Sequence, residues 1–218
     1  MLGIKLPGLL IKLNQIAGKI QLIMKKTEFF LTGLIIIGLT VTLSSYDLPT
    51  GWFKAGSSPE SYEMGIDKGA GQNGNNAATI KSINKKIKGF GTLMQNSLPA
   101  QYLGKRVRMK GYLKTKDVAD WCGFWLRIDQ SGSDLALSFD NMSDRSVKGT
   151  TEWTKYEIVL DVPLRASNIA FGALLSGTGQ IWFDNLSFET VDNSVPTTGK
   201  VNDYSKPLGD PVNLDFEQ

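Results

Sequence analysis

Trp121, Trp125, Arg127 and Asp129 are the residues of this chain whose types and spacing suit recognition chemistry. In the run from Trp121 to Asp129, a period of two sends Cys122, Phe124, Leu126 and Ile128 to one face. Trp121, Gly123, Trp125, Arg127 and Asp129 go to the other. The first set is an ordinary core face. The second offers two indoles with a glycine between them, followed by a guanidinium and a carboxylate. The apolar C–H face of a sugar ring stacks on an indole, while Arg and Asp bind its hydroxyls through paired hydrogen bonds. The other reading is a two-sided strand whose second face is covered by a loop, with Arg127 and Asp129 in a structural ion pair. Trp52 and Asp140 join the candidate binding set. Asp140 opens the polar stretch that runs to Arg145, although Asp and Asn also favour turns for conformational reasons alone. Trp153 and Trp182 are assigned to packing.

Catalysis has little to work with. The 218 residues include no histidine and a single cysteine, Cys122. Triads and dyads that need imidazole, HExxH zinc sites, internal disulfides and multi-cysteine metal sites are thereby excluded from this chain. Paired carboxylates or Ser-Lys chemistry would remain, and neither shows a recognisable motif. Glu60, Glu63 and Asp67 form an acidic stretch that a solvated strand or loop explains. The expectation is a protein without catalytic residues.

The elements that must position the aromatic strand are short. From Tyr46 onward no segment holds a 3.6-residue apolar period, and alternating runs recur between Gly, Asn, Asp and Ser clusters, the pattern of a sandwich or barrel. The spacing predicts strands at 62–67, 78–83, 91–97, 106–115, 123–129, 135–139, 154–162, 168–174 and 180–189. Breaks are expected at 69–76, 117–120, 130–134 and 176–179. Leu135, Leu137 and Phe139 are read as inward-facing. Residues 193–212 read as a linker or irregular crossing, and 213–218 as a further strand.

Ahead of this β-rich body, Lys25 and Lys26 precede an apolar run of 15 residues, Phe29 to Leu43, and then the small residues Ser44 and Ser45. That is the anatomy of a secretory signal, with an uncleaved membrane anchor as the alternative and a hydrophobic helix in either case. Residues 1–23 carry Lys5, Lys12 and Lys19 at seven-residue spacing, which reads as a cationic-striped interfacial helix or as sequence upstream of a true start at Met24. Residues 1–44 hold five of the 24 basic residues and one of the 21 acidic ones, so the remainder is close to neutral. A basic footprint for nucleic acid is absent. The expected location is secreted or in the cell envelope, with membrane contact only through the N-terminal segment.

Four stretches carry a family resemblance. They are Gly111 to Thr115, Gly123 to Asp129, Phe139 to Met142 leading into Gly149 to Trp153, and Gly177 to Leu186, the last containing Trp182-Phe183-Asp184-Asn185-Leu186. Together they resemble the galactose-binding-like jelly-roll modules of bacteria, close to carbohydrate-binding modules, over roughly residues 48–192. Similar modules occur in secreted proteins, in front of hydrolase or peptidase domains, and at the end of some transcription regulators. The resemblance implies an all-β, two-sheet antiparallel sandwich. It also implies a structural Ca²⁺ held by the opening Glu and the Asp of the last strand, here Glu217 and Asp184. Such modules usually begin with an Asn-x-x-Phe-Glu strand, whereas here Asn213-Leu214-Asp215-Phe216-Glu217 stands near the C-terminus. Either a permuted strand fills the first slot, which the 23 residues after Glu189 can reach at up to about 75 Å extended, or the strand belongs to another domain or chain. The expected function is non-catalytic binding of carbohydrate. The alternative is a cell-envelope interaction or ligand-sensing domain with no sugar site.

Overall fold

Short alternating apolar runs punctuated by Gly, Asn and Asp build strands and tight connections rather than helices. The computed structural model describes Lys19 and residues 46–201. The strands are β1 (Phe53–Gly56), β2 (Tyr62–Asp67), β3 (Ala77–Ser82), β4 (Phe90–Ser97), β5 (Lys105–Asp129), β6 (Ser138–Asp140), β7 (Val147–Val162), β8 (Asn168–Ser176), β9 (Gln180–Val191) and β10 (Lys200–Val201). Among the described residues all ladders are antiparallel. The hydrophobic helix expected over the leader, the strand expected at 213–218 and Glu217 lie outside the described residues.

The expected fold class holds in its all-β, antiparallel character, but the two layers are not separate sheets. All ten strands form one hydrogen-bonded network, in the order β1-β4-β8-β5-β9-β3-β2, with β7 and β6 also on β5 and β10 on β6. The cause is β5, 25 residues long. Its first half runs between β7 and β9, and its second half between β8 and β6. The change of partners coincides with register shifts at Leu113/Thr115, Thr115/Val118 and Val118/Cys122, which bend the strand and carry it from one arm to the other. The break expected at 117–120 is therefore a bulged continuation. Side chains hold the pairing through it: Thr115 Oγ1 accepts from the Thr151 N–H at 2.9 Å, and the Asp117 N–H donates to Thr150 Oγ1 at 3.0 Å.

The arms meet on their apolar faces. Phe124 of β5 packs edge-on against Phe183 of β9, with ring centroids 6.2 Å apart. Around them Met64, Ile80, Leu93, Leu126 and Leu160 are fully buried. Cys122, Phe124, Leu126 and Ile128 all lie in this core, as their alternation predicts. Cys122 is inaccessible, and burial pushes its thiol up to about 12. We expect no reaction of native protein with a thiol reagent at neutral pH and one equivalent after denaturation, because only the exposed thiolate is nucleophilic. Fast labelling of the native protein would contradict this placement.

One face assignment is corrected. Phe139, read as inward, points away from the core and packs on Trp125, whereas Ser138 and Asp140 are the buried residues of β6. Leu135 is exposed and Leu137 packs only partly on the core. The inward position suits Asp140 because its charge is fully partnered there, as described next.

Candidate functional site

The outer face of the arm formed by β1, β4, β8, the second half of β5 and β6 carries a second apolar cluster, distinct from the core. Trp125, Ala170 and Leu174 are its buried members, with Met94, Trp121 and Phe139 packed against them. Register explains the assembly. Trp121, Gly123, Trp125, Arg127 and Asp129 face Ser176, Leu174, Gly172, Ala170 and Asn168 across the β5–β8 ladder. Gly172 and Leu174 in turn face Met94 and Thr92 on β4. No side chain fits at Gly172, since a Cβ there would run into the Leu93 carbonyl oxygen. The Trp125 indole therefore crosses over β8, and its Nε1 donates to Thr92 Oγ1 on β4 at 2.8 Å. Thr92 Oγ1 donates onward to the Ala173 carbonyl at 2.7 Å. The ring is fixed at both ends and only 9% exposed.

Above this floor lies an open groove of about 640 Å³. Phe53 and Phe90 stand on one side, Phe139 and Asn141 on the other, and Asn96, Arg127, Asp129 and Asn168 give it a polar end. Arg127 Nε donates to Asp129 Oδ1 at 2.7 Å, and Asn168 Nδ2 donates to Asp129 Oδ2 at 3.1 Å. The Arg127 side chain is 47% exposed and that of Asp129 only 14%. A concave apolar surface with a few convergent polar groups is the usual character of a small-ligand site. It offers stacking area on its floor and hydrogen bonds at one end, and it assembles no nucleophile with a base.

No family model matches the chain. The uncharacterized HTH-type transcriptional regulator YbfP of Bacillus subtilis (strain 168) is 44% identical over 169 residues, 77% of this chain and 57% of YbfP. The chain thus spans a little over half the length of that curated relative. Among solved structures, the enzymatically active domain of bacteriophage CBA120 tailspike protein 4 aligns over 65% of this chain and 20% of its own, with 10% identity and a TM-score of 0.51. The CBM22-1 xylan-binding domain of Paenibacillus barcinonensis Xyn10C aligns over 67% of this chain and 90% of that domain, with 12% identity and a TM-score of 0.49. At 10% identity the tailspike likeness is one of fold. A carbohydrate-binding module stands among the structural neighbours.

The structure brings together Trp121, Trp125, Arg127 and Asp129, all lining the groove. The space over Gly123, between the two indoles, is filled: a Cβ at that position would meet Met142 Cβ at 3.2 Å and the Asn141 carbonyl at 3.4 Å. Trp52 lies elsewhere, packed edge-on against Phe171 at 5.6 Å and tilted against Phe183 at 5.8 Å. Asp140 sits beside the groove with its oxygens turned away from it. Arg145 donates to it through Nη2 at 2.6 Å and Nη1 at 3.2 Å, the Met142 N–H at 2.8 Å, and Thr198 Oγ1 at 2.5 Å. Burial alone would raise the Asp140 carboxyl, but the Arg145, Thr198 and Met142 donors outweigh it and hold the group below its ordinary value. A smaller hollow of about 380 Å³ opens beside these groups.

Sequence reasoning missed the half of the groove built by Phe53, Phe90, Met94, Asn96, Asn168 and Leu174. Of the two expected calcium ligands, Glu217 lies outside the described residues and Asp184 stands on β9. Asp184 Oδ1 accepts the Asn185 N–H at 2.7 Å and Oδ2 the Gln72 N–H at 3.3 Å. No group of three Asp, Glu, Cys or His side chains able to hold a metal occurs among the described residues.

Proposed function

We propose that residues 46–201 form a non-catalytic binding module of the galactose-binding-like jelly-roll kind, and that its ligand is a carbohydrate held in the groove over Trp125. The observation that carries this reading is the groove itself. Trp125, nearly buried, forms the floor on the outside of a sheet, and the partly exposed Trp121 and Phe139 add apolar surface beside it, with Arg127, Asp129 and two asparagines at one end. A sugar needs both features together: a face to stack and hydroxyl partners at its rim. Export through the N-terminal segment, to the envelope or the medium, belongs to the same proposal.

Intrinsic tryptophan fluorescence of the full chain, titrated with neutral and acidic oligosaccharides with and without calcium, tests it. A saturable change that Trp125→Ala loses and Trp125→Phe largely keeps, with both variants folded, is the expected result. No response from a folded protein across the panel would remove the carbohydrate reading.

A second reading has one observation in its favour. YbfP carries the name of an HTH-type regulator, whereas residues 46–201 of this chain are strands, turns and short 3-10 segments with no helix-turn-helix. On that reading the same groove senses a small effector that is not a sugar, on a protein kept inside the cell. Cell fractionation separates the two: recovery from the medium or envelope supports export, and recovery only from the cytosol supports sensing.

A further inference from the structure

The carbohydrate reading leaves the charge of the sugar open, and the hydrogen-bond inventory of the groove speaks to it. Among the described residues, the Asp129 carboxylate and the amide oxygens of Asn96 and Asn141 that line the groove are already engaged, while Asn168 Oδ1 accepts nothing. Asp129 Oδ1 accepts from Arg127 Nε at 2.7 Å and Asp129 Oδ2 from Asn168 Nδ2 at 3.1 Å. Asn96 Oδ1 accepts from the same Asn168 amide at 3.5 Å, and Asn141 Oδ1 from the Ser143 N–H at 3.1 Å. The donors are the reverse. Both terminal nitrogens of Arg127, Nδ2 of Asn96 and Asn141, and the Trp121 indole nitrogen make no hydrogen bond to the described residues. Asp129 draws Nε toward itself and leaves the terminal edge of the guanidinium, on a side chain 47% exposed, to whatever enters.

A groove whose spare donors outnumber its one spare amide oxygen suits a ligand rich in acceptors. Neutral sugars bring hydroxyls, each of which donates as well as accepts. A carboxylate brings two oxygens that only accept, in the planar geometry a guanidinium edge matches. Resting on the carbohydrate reading, we infer that this groove selects an acidic glycan, one whose sugars carry carboxylates, with Arg127 as the specificity-determining residue.

The test compares an oligogalacturonate with its fully methyl-esterified form, the same sugar without its charges, by calorimetry on the full chain. The acid is expected to bind about tenfold or more tightly, the scale of a charge-assisted pair. Added salt should weaken the acid and leave the ester unchanged. Arg127→Gln should bring the two ligands to within about threefold, and Arg127→Lys, which keeps the charge without the planar fork, should fall between. Equal or tighter binding of the ester overturns the acidic preference while leaving the carbohydrate reading in place. A preference that survives Arg127→Gln overturns the role of Arg127. Silence from both ligands, with the folded protein responding to a neutral sugar of the fluorescence panel, overturns the acidic preference alone, and silence across that panel as well removes the carbohydrate reading and this inference with it.

Discussion

Replacing Trp125 by alanine is expected to weaken ligand binding by about 2 kcal/mol or more, about thirtyfold in Kd, and to destabilise the fold at the same time. The indole is both floor and brace. It covers Ala170 and Leu174 and ties β5 to β4 across β8 through Thr92 Oγ1. Large aromatic-to-alanine changes in a core cost about 3–5 kcal/mol. Here the vacated space opens to the groove, where water can fill it, so about 3 kcal/mol is expected. Trp125→Phe separates the roles. It keeps an aromatic floor, loses the Nε1 bond and leaves Thr92 still donating to the Ala173 carbonyl, for about 1 kcal/mol of stability. Chemical denaturation and ligand titration of both variants check this. If Trp125→Ala binds as the parent does, the ligand does not lie on this floor.

The strand that carries Trp125 was the most legible part of the sequence, for a physical reason. β5 lies inside the sheet with partners on both sides, so each of its faces meets a distinct environment, and alternation between Cys122 and Ile128 on one face and Trp121 to Asp129 on the other reports both. Its neighbour β8 gave no such signal. Residues from Ile169 to Leu175 are buried on both faces, and a continuous apolar run does not tell which side is core and which is groove. That is why Leu174 and the β4 side of the site went unseen. β1 and β10, four and two residues long, lack the length for a period to show.

Two single residues failed for a different reason. Trp52 follows a turn closed by its N–H to the Pro49 carbonyl at 3.0 Å, outside any strand, so no alternation reported that it faces Phe171 and Phe183. Asp140 stands in an Asp-Asn stretch whose composition suits a ligand loop and a turn equally well. The structure assigns it to the turn. Its bonds to the Met142 N–H and Arg145 are local in sequence, and its bond to Thr198 reaches across 58 residues to the chain crossing β7. A long-range partner of that kind leaves no trace in residue spacing.

Asp140→Asn is accordingly expected to cost stability while leaving the groove's ligand affinity nearly intact. The substitution keeps the shape and removes the charge that Arg145 faces. Breaking a buried pair from one side costs about 3–5 kcal/mol, because the remaining charge loses its partner. Arg145 is about a third exposed and water relieves part of that loss, so about 2 kcal/mol is the expected figure. The pH dependence gives the sharper test. Asp140 is held below its ordinary value when folded, so its charge stabilises the native state fully above the ordinary carboxylate value of about 3.9. That contribution disappears as pH falls through the lower folded-state value. Asparagine does not titrate. The stability gap between the parent and Asp140→Asn, from urea denaturation at stepped pH, should therefore be constant from neutrality to about pH 5 and close progressively below about pH 4. A gap that persists undiminished into strong acid would mean that the substitution acts through packing of the Thr198 crossing, and that the charge of Asp140 contributes nothing to the fold.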